Sequence, residues 1–199
     1  AVKTTLNVAG AMRRQDRTMS EDRVLLRALR DFNLGKLIAD DVGIFMGLLN
    51  DLFFKTLEFV PRARNEKFED MVKKSAQDFS LQPDEMFCLK VSQLKELLGV
   101  RWSVFILGPA GCGKSEMIRT LVKTHANLGE KNTTQTLNPK SVTRNELYGY
   151  IHPATREWKD GLISKKFRDL ANIHTVPHEY IILDGDIDPE WIESMNTVV

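Results

Sequence analysis

The chain has 199 residues, enough to bury the core of one or two domains. Its 28 Lys+Arg and 27 Asp+Glu leave a net charge of +1, which excludes a strongly basic nucleic-acid binder and an acidic disordered tail. No apolar run reaches the roughly 18 residues of a membrane span, Ala1 to Gly10 has no secretory apolar region, and two cysteines, Cys88 and Cys112, suit a reducing compartment.

In chain order, the first 60 residues read as helical. The start at Ala1 without Met, and the end at Val198-Val199 inside an expected helix, read as a piece of a longer chain. Ser20 is placed to cap a helix, with Glu21 and Asp22 in its first turn. Leu25, Ala28, Leu29 and Phe32 form its apolar stripe, ending at Asn33 and Gly35. A second helix from Asp40-Asp41 carries Ile44, Phe45, Leu48, Leu49 and Leu52, a face broad enough to predict burial between elements. Residues 55–66, with Pro61, read as a connector. A third helix presents Phe68, Met71, Val72, Ser75, Ala76 and Phe79 on one face. Pro83 suits the first turn of a fourth, over 83–98, with Phe87, Val91, Leu94 and Leu98 inward and Gly99 at its end.

The pattern then changes. Ser103 to Leu107 is a short apolar run bounded by Gly108-Pro109, which predicts a buried parallel strand. A helix is expected from Gly113 to Asn127 and a weaker strand from Thr133 to Leu137. Thr143-x-x-Glu146 predicts a capping box. Gly161 to Asn172 reads as a helix and Tyr180 to Leu183 as a buried strand. Asp188-Pro189 opens a last helix with Trp191, Ile192, Met195 and Val198. Strands alternating with helices predict an α/β fold: a parallel sheet with flanking helices, preceded by a helical subdomain. The expected division is 1–60 and 61–199.

Gly108-Pro109-Ala110-Gly111-Cys112-Gly113-Lys114-Ser115 matches G-x-x-x-x-G-K-[ST] in full. Glycines let the chain curl so that backbone N–H groups converge on phosphate, and the following helix N-terminus adds to the field. Lys114 reaches the β- and γ-phosphates, and the Ser115 hydroxyl ligates Mg²⁺. Gly108 through Glu116 are therefore the expected nucleotide-binding residues. Tyr180-Ile181-Ile182-Leu183-Asp184 supplies the acidic residue after an apolar strand, and Asp184 is expected to hold the Mg²⁺ shell through water.

In hydrolytic P-loop proteins of AAA+ type, which this pattern resembles, Glu follows that Asp and orients the attacking water. Here Gly185 follows, and glycine cannot act as a base. Asp186 is displaced along the chain and shorter than Glu. Asp188 reads as a helix cap, and Glu193 as a helix-surface residue. The expectation is a site that binds ATP or ADP with little or no hydrolysis. The alternative is a self-sufficient P-loop ATPase with Asp186 as its base, and a weaker third reading is a purely structural module.

Longer blocks extend the resemblance. Leu25 to Asn33, Asn138 to Thr143, Asn145 to Gly149, Pro153 to Gly161 and Leu183 to Val198 resemble dynein heavy chains, nearest the outer-arm beta type of the axoneme. The match is to the second AAA+ module, with residues 1 to about 55 similar to the small helical subdomain closing the first. The resemblance implies a ring of six modules in one polypeptide. It implies a parent microtubule motor of the cilium or flagellum in the cytoplasmic cytoskeleton, and a second module that binds ATP without efficient hydrolysis. The implied partners are neighbouring AAA+ modules, intermediate and light chains and microtubules, with no nucleic acid and no membrane. Arg27 and Arg30 lie in the block where the first module would keep a nucleotide-sensing arginine.

Other features read blandly. Cys112 fills a loop position and has no His or acid partner nearby in sequence. His174 and His178 are four apart, but Pro177 between them disfavours a regular helix, and with four histidines and no HExxH or Cys-x-x-Cys no zinc site is expected. Lys165, Lys166 and Arg168 read as a solvated helix face, and Trp158 and Trp191 as core or interface residues.

Overall fold

The computed structural model describes residues 2–54, 65–173, 175–186 and 188–195. The expected connector around Pro61, His174, and the end of the last helix at Val198 lie outside the described residues. The chain divides into two compact units, residues 1–124 and 125–199.

The first unit is helical: α1 (Val2–Gln15), α2 (Glu21–Leu34), α3 (Ala39–Leu52), α4 (Glu66–Asp78), α5 (Glu85–Leu98) and the start of α6 (Lys114–Asn127). Ser20 is the N-cap of α2, but its side chain makes no capping hydrogen bond. The expected stripe of α2 is corrected at one position, since Leu26 is fully buried and Leu25 lies at the surface. The reason is that α2 packs on two neighbours. Ala28 and Phe32 meet Val8 of α1, while Leu26 meets Leu49 of α3. On α3 only Leu49 is buried, and Ile44, Leu48 and Leu52 are exposed, against the expectation of burial between elements. Among the described residues α3 packs chiefly on α2.

Helices α4 and α5 follow their predicted faces more closely. Phe68 and Val72 of α4 pack with Cys88, Val91 and Leu94 of α5 and Leu121 of α6 in one core cluster. Asn65 and Asp84 cap α4 and α5 by accepting from Phe68 N and Met86 N. Pro83 therefore precedes the cap rather than opening the first turn.

Ser103 to Leu107 is corrected most. It forms no ladder in the described residues, whose sheets are β1 (Asn132–Leu137) with β4 (His178–Leu183), and β2 (Gly149–Ile151) with β3 (Trp158–Asp160). Val104 and Ile106 pack against the α4–α5–α6 core, but Phe105 is 55% and Leu107 71% exposed. Burial thus alternates with period two, and only one face is covered. A strand buried on both faces needs a sheet neighbour and a second layer, and within its own unit this segment meets helices on one side.

The second unit holds the sheet. β1 and β4 pair in parallel from Asn132↔His178 to Leu137↔Leu183. Helices α7 (Arg144–Tyr148), α8 (Leu162–Ala171) and α9 (Pro189–Met195) pack with it in one apolar cluster. Leu147, Tyr148, Ile163 and Trp191 form the buried core, with Leu137 and Leu183 packed against it. The α/β expectation with parallel pairing is met, although β4 is half-buried throughout rather than fully buried. The antiparallel hairpin β2–β3, registered Gly149↔Asp160, was not anticipated. Trp158 in that hairpin is exposed, which rules out the core half of its core-or-interface reading, whereas Trp191 is buried.

The expected capping box is present. Thr143 accepts from Glu146 N, and Thr143 N donates to the Glu146 carboxylate at 2.9 Å. Thr143→Ala is expected to cost about 1 kcal/mol in urea unfolding. The hydrogen bonds from the Thr143 backbone and hydroxyl hold the Glu146 carboxyl below its usual range. Glu146 therefore supports the cap above the ordinary carboxylate pKa, and that support is lost as pH falls through the depressed value.

Candidate functional site

The loop Gly108 to Gly113 leads into α6 at Lys114. Gly111 and Gly113 adopt φ of 80° and 85°, the left-handed region that side chains disfavour, and nothing lies within 4 Å of a Cβ built on either. These two residues curl the loop. A Cβ at Gly108 would stand 2.7 Å from Cys112 Sγ, so a side chain there would displace the cysteine. Cys112 is exposed, its Sγ lies beside Gly108, and its amide donates to Pro109 O. Lys114 Nζ donates to Gly108 O at 3.0 Å and Pro109 O at 2.7 Å, and lies 3.8 Å from Cys112 Sγ. The ammonium is thereby carried back over the loop by its own backbone. Ser115 is exposed in the first turn of α6. Glu116 is engaged with Arg119, its Oε1 2.6 Å from Nη1.

Asp184, Gly185 and Asp186 follow β4 in the second unit. Asp184 N donates to Leu137 O at 2.9 Å, which prolongs the parallel ladder by one bond and leaves the side chain exposed at the strand's carboxyl end. The carboxyl ends of parallel strands are where α/β sheets bind ligands. A Cβ on Gly185 would come 3.2 Å from Asn138 Oδ1, a tight but yielding approach. Asp186 does not stand free: its Oδ2 lies 3.2 Å from Lys140 Nζ, and its carboxylate is almost fully exposed. That ion pair engages the carboxylate with a neighbouring ammonium. Asp188 O accepts from Ile192 N at the start of α9, as its reading as a cap requires, and Glu193 is exposed.

Several other candidates find partners. Arg30 Nε lies 2.8 Å from Asp31 Oδ1, and Arg27 Nε 4.0 Å from Asp31 Oδ2, so the two arginines share one acid. Arg168 pairs with Asp160 at 2.6 Å, which makes the supposed solvated face partly a salt bridge. His178 meets His125 and Glu130, two residues the sequence reading did not connect with it. No local signal ties His178 to the other two, because it stands 48 residues from Glu130.

Two family models match the chain. One, described as the hydrolytic ATP binding site of the dynein motor region, matches residues 1–115. The other, described as an AAA domain of the dynein-related subfamily, matches residues 103–199. Among similar curated proteins, the dynein beta chain of the flagellar outer arm of Chlamydomonas reinhardtii is 63% identical over 199 residues. The ciliary dynein beta chain of Tripneustes gratilla and dynein axonemal heavy chain 17 of Mus musculus are each 54% identical over 199 residues. Each alignment covers 100% of this chain but 4% of the relative, so the chain spans a small part of the proteins it resembles. With a dynein motor-region model covering more than half of its residues, and a second AAA model the remainder, the chain belongs to the dynein heavy-chain family and has an α/β AAA fold.

Proposed function

We propose that this chain is the ATP-binding part of a dynein AAA+ module that turns nucleotide over slowly or not at all. The observation that carries the reading is a complete phosphate loop, with Gly111 and Gly113 in left-handed backbone at the head of α6 and Gly185, not a carboxylate, after Asp184. The loop amides and Lys114 would hold the phosphates of ATP or ADP. Ser115 and, through water, Asp184 would hold Mg²⁺, which neutralises phosphate charge. Both offer the hard oxygen donors that this ion takes. No carboxylate at 185 means no group at that position to orient water.

Residues 1–60 are read as the end of a preceding module and 61–199 as the module that binds nucleotide. The parent would be a microtubule-based motor of the axoneme, in which this part meets neighbouring AAA+ modules, with intermediate and light chains and microtubules engaged elsewhere. The matched names of the relatives support this setting. No described helix is long and apolar enough to cross a membrane.

Turnover tests the reading. The chain is expected to bind ATP with Mg²⁺ saturably and to release no steady phosphate above background. Brisk release that Asp186→Asn abolishes would instead support a self-sufficient ATPase. The ion pair between Asp186 and Lys140 favours the first outcome.

A further inference from the structure

A cluster outside the phosphate loop brings three donor atoms together. His125 Nδ1 lies 2.5 Å and His178 Nε2 3.1 Å from the same oxygen, Glu130 Oε2. The three ligating atoms all fall within 4.8 Å of one another. The histidine ring centroids are 4.1 Å apart, and the Tyr180 ring stands 6.3 Å from each.

The backbone explains why they converge. At the end of α6, Gly129 N donates to Ala126 O at 3.0 Å and Glu130 N to His125 O at 2.9 Å. This pair of bonds is a Schellman motif, and Gly129 takes the φ of 80° that it needs. It folds Glu130 back onto the last turn of the helix, beside His125. Two residues on, β1 begins, and its first residue, Asn132, is in register with His178 of β4. A helix cap and a parallel ladder thus set the three side chains independently of one another. His125 is 2% exposed and anchored, while the Glu130 side chain is 43% exposed and can adjust.

We propose that His125, Glu130 and His178 form a binding site for one divalent transition-metal ion of the zinc class. Two imidazole nitrogens and one carboxylate oxygen suit zinc, cobalt or nickel and disfavour Mg²⁺ and Ca²⁺, which take oxygen. In a tetrahedral zinc site, with bonds near 2.0–2.2 Å, neighbouring donors stand about 3.3 Å apart. The His178–Glu130 separation already approaches that figure. The His125–Glu130 separation would open by a swing of the exposed carboxylate, and the two imidazole nitrogens, within 4.8 Å of each other, would be set by a turn of the half-exposed His178 ring. The ion would tie the last turn of α6 to the first residue of β4. This site is independent of the nucleotide reading above.

Cobalt titration of the metal-free 199-residue chain, without nucleotide or Mg²⁺, tests the proposal. The expected result is a visible ligand-field absorption that saturates at one Co²⁺ per chain, lacks a sulfur-to-cobalt band, and is displaced by Zn²⁺. Bound metal is also expected to raise Tm with the logarithm of its concentration. His178→Ala and Glu130→Gln, both at accessible positions, are expected to weaken Co²⁺ binding about 100-fold. Circular dichroism matching the parent confirms that each variant folds, and Glu130→Gln carries the test if His178→Ala does not. No saturable uptake below about 100 μM, or uptake that the folded variants change by less than about 10-fold, overturns the site. The cluster is then a hydrogen-bonded one in which Glu130 serves both histidines.

Discussion

Lys114→Ala is expected to weaken ATP binding about 100-fold and to erase most of the rise in Tm that ATP gives the unmodified chain. In the structure the Lys114 ammonium is bonded to two neutral acceptors, Gly108 O and Pro109 O. Every bond from the ammonium is charge-assisted, but a phosphate oxygen adds an ionic attraction that a carbonyl lacks, up to about 4 kcal/mol at 4 Å in an effective dielectric near 20 before desolvation is counted. Exchanging the two carbonyls for phosphate gains about 2–3 kcal/mol, close to two decades of affinity. At ATP near 100 times Kd, the parent gains about 2.7 kcal/mol of stability. At the same concentration the variant would gain about 0.4 kcal/mol. Melting curves with and without ATP, with isothermal titration, make the measurement. An undiminished ATP-dependent shift in the variant would mean that the backbone amides alone hold the phosphates.

Gly161→Ala is expected to destabilise the second unit by about 3–5 kcal/mol. Gly161 has φ −87° and ψ 179°, which any residue adopts, so the cost is steric and not conformational. A Cβ at Gly161 would stand 2.5 Å from both Leu147 C and Leu147 O, and nearer still to Gly149 N. These are backbone atoms and cannot rotate away. Gly149 stands opposite with φ 111°, and a Cβ there would meet Lys159 O at 2.5 Å. The two glycines let α7 pass into β2 against the point where β3 passes into α8. Leu147 and Ile163 on either side are fully buried, so displacement of the crossing would spread into the core. Urea unfolding followed by tryptophan fluorescence reads the loss through buried Trp191. A change below about 0.5 kcal/mol would mean that the crossing has slack that this structure does not contain.

What could be read in the sequence was local. The phosphate loop depends on glycine, lysine and serine at fixed offsets, and the structure places Gly111 and Gly113 in the backbone region that only glycine enters freely. The Thr143–Glu146 box and the helix faces at Phe68, Val72, Val91 and Leu94 are equally local, being set by spacing of three and four residues. The hairpin β2–β3 escaped because strands of three residues carry too little alternation to register as a pattern. Its glycines mark a close crossing that becomes evident only when both strands are in place. The apolar run Ser103 to Leu107 misled in the opposite direction. Hydrophobicity states that a segment can be buried, not which neighbours cover it.

By itself, the sequence determined the glycine, lysine and serine spacing of the loop Gly108 to Ser115, the glycine immediately after Asp184, and the helices from α2 to α8 with the parallel strands β1 and β4. Each follows from residues close together along the chain, where covalent geometry and short-range sterics act. Only the tertiary structure decided that α2 buries two faces and α3 one, and that Asp186 is paired with Lys140. It alone placed His125 and Glu130 beside His178. Those outcomes rest on which distant segments share a boundary, and that is set by the packing of whole elements, which no run of a few residues encodes.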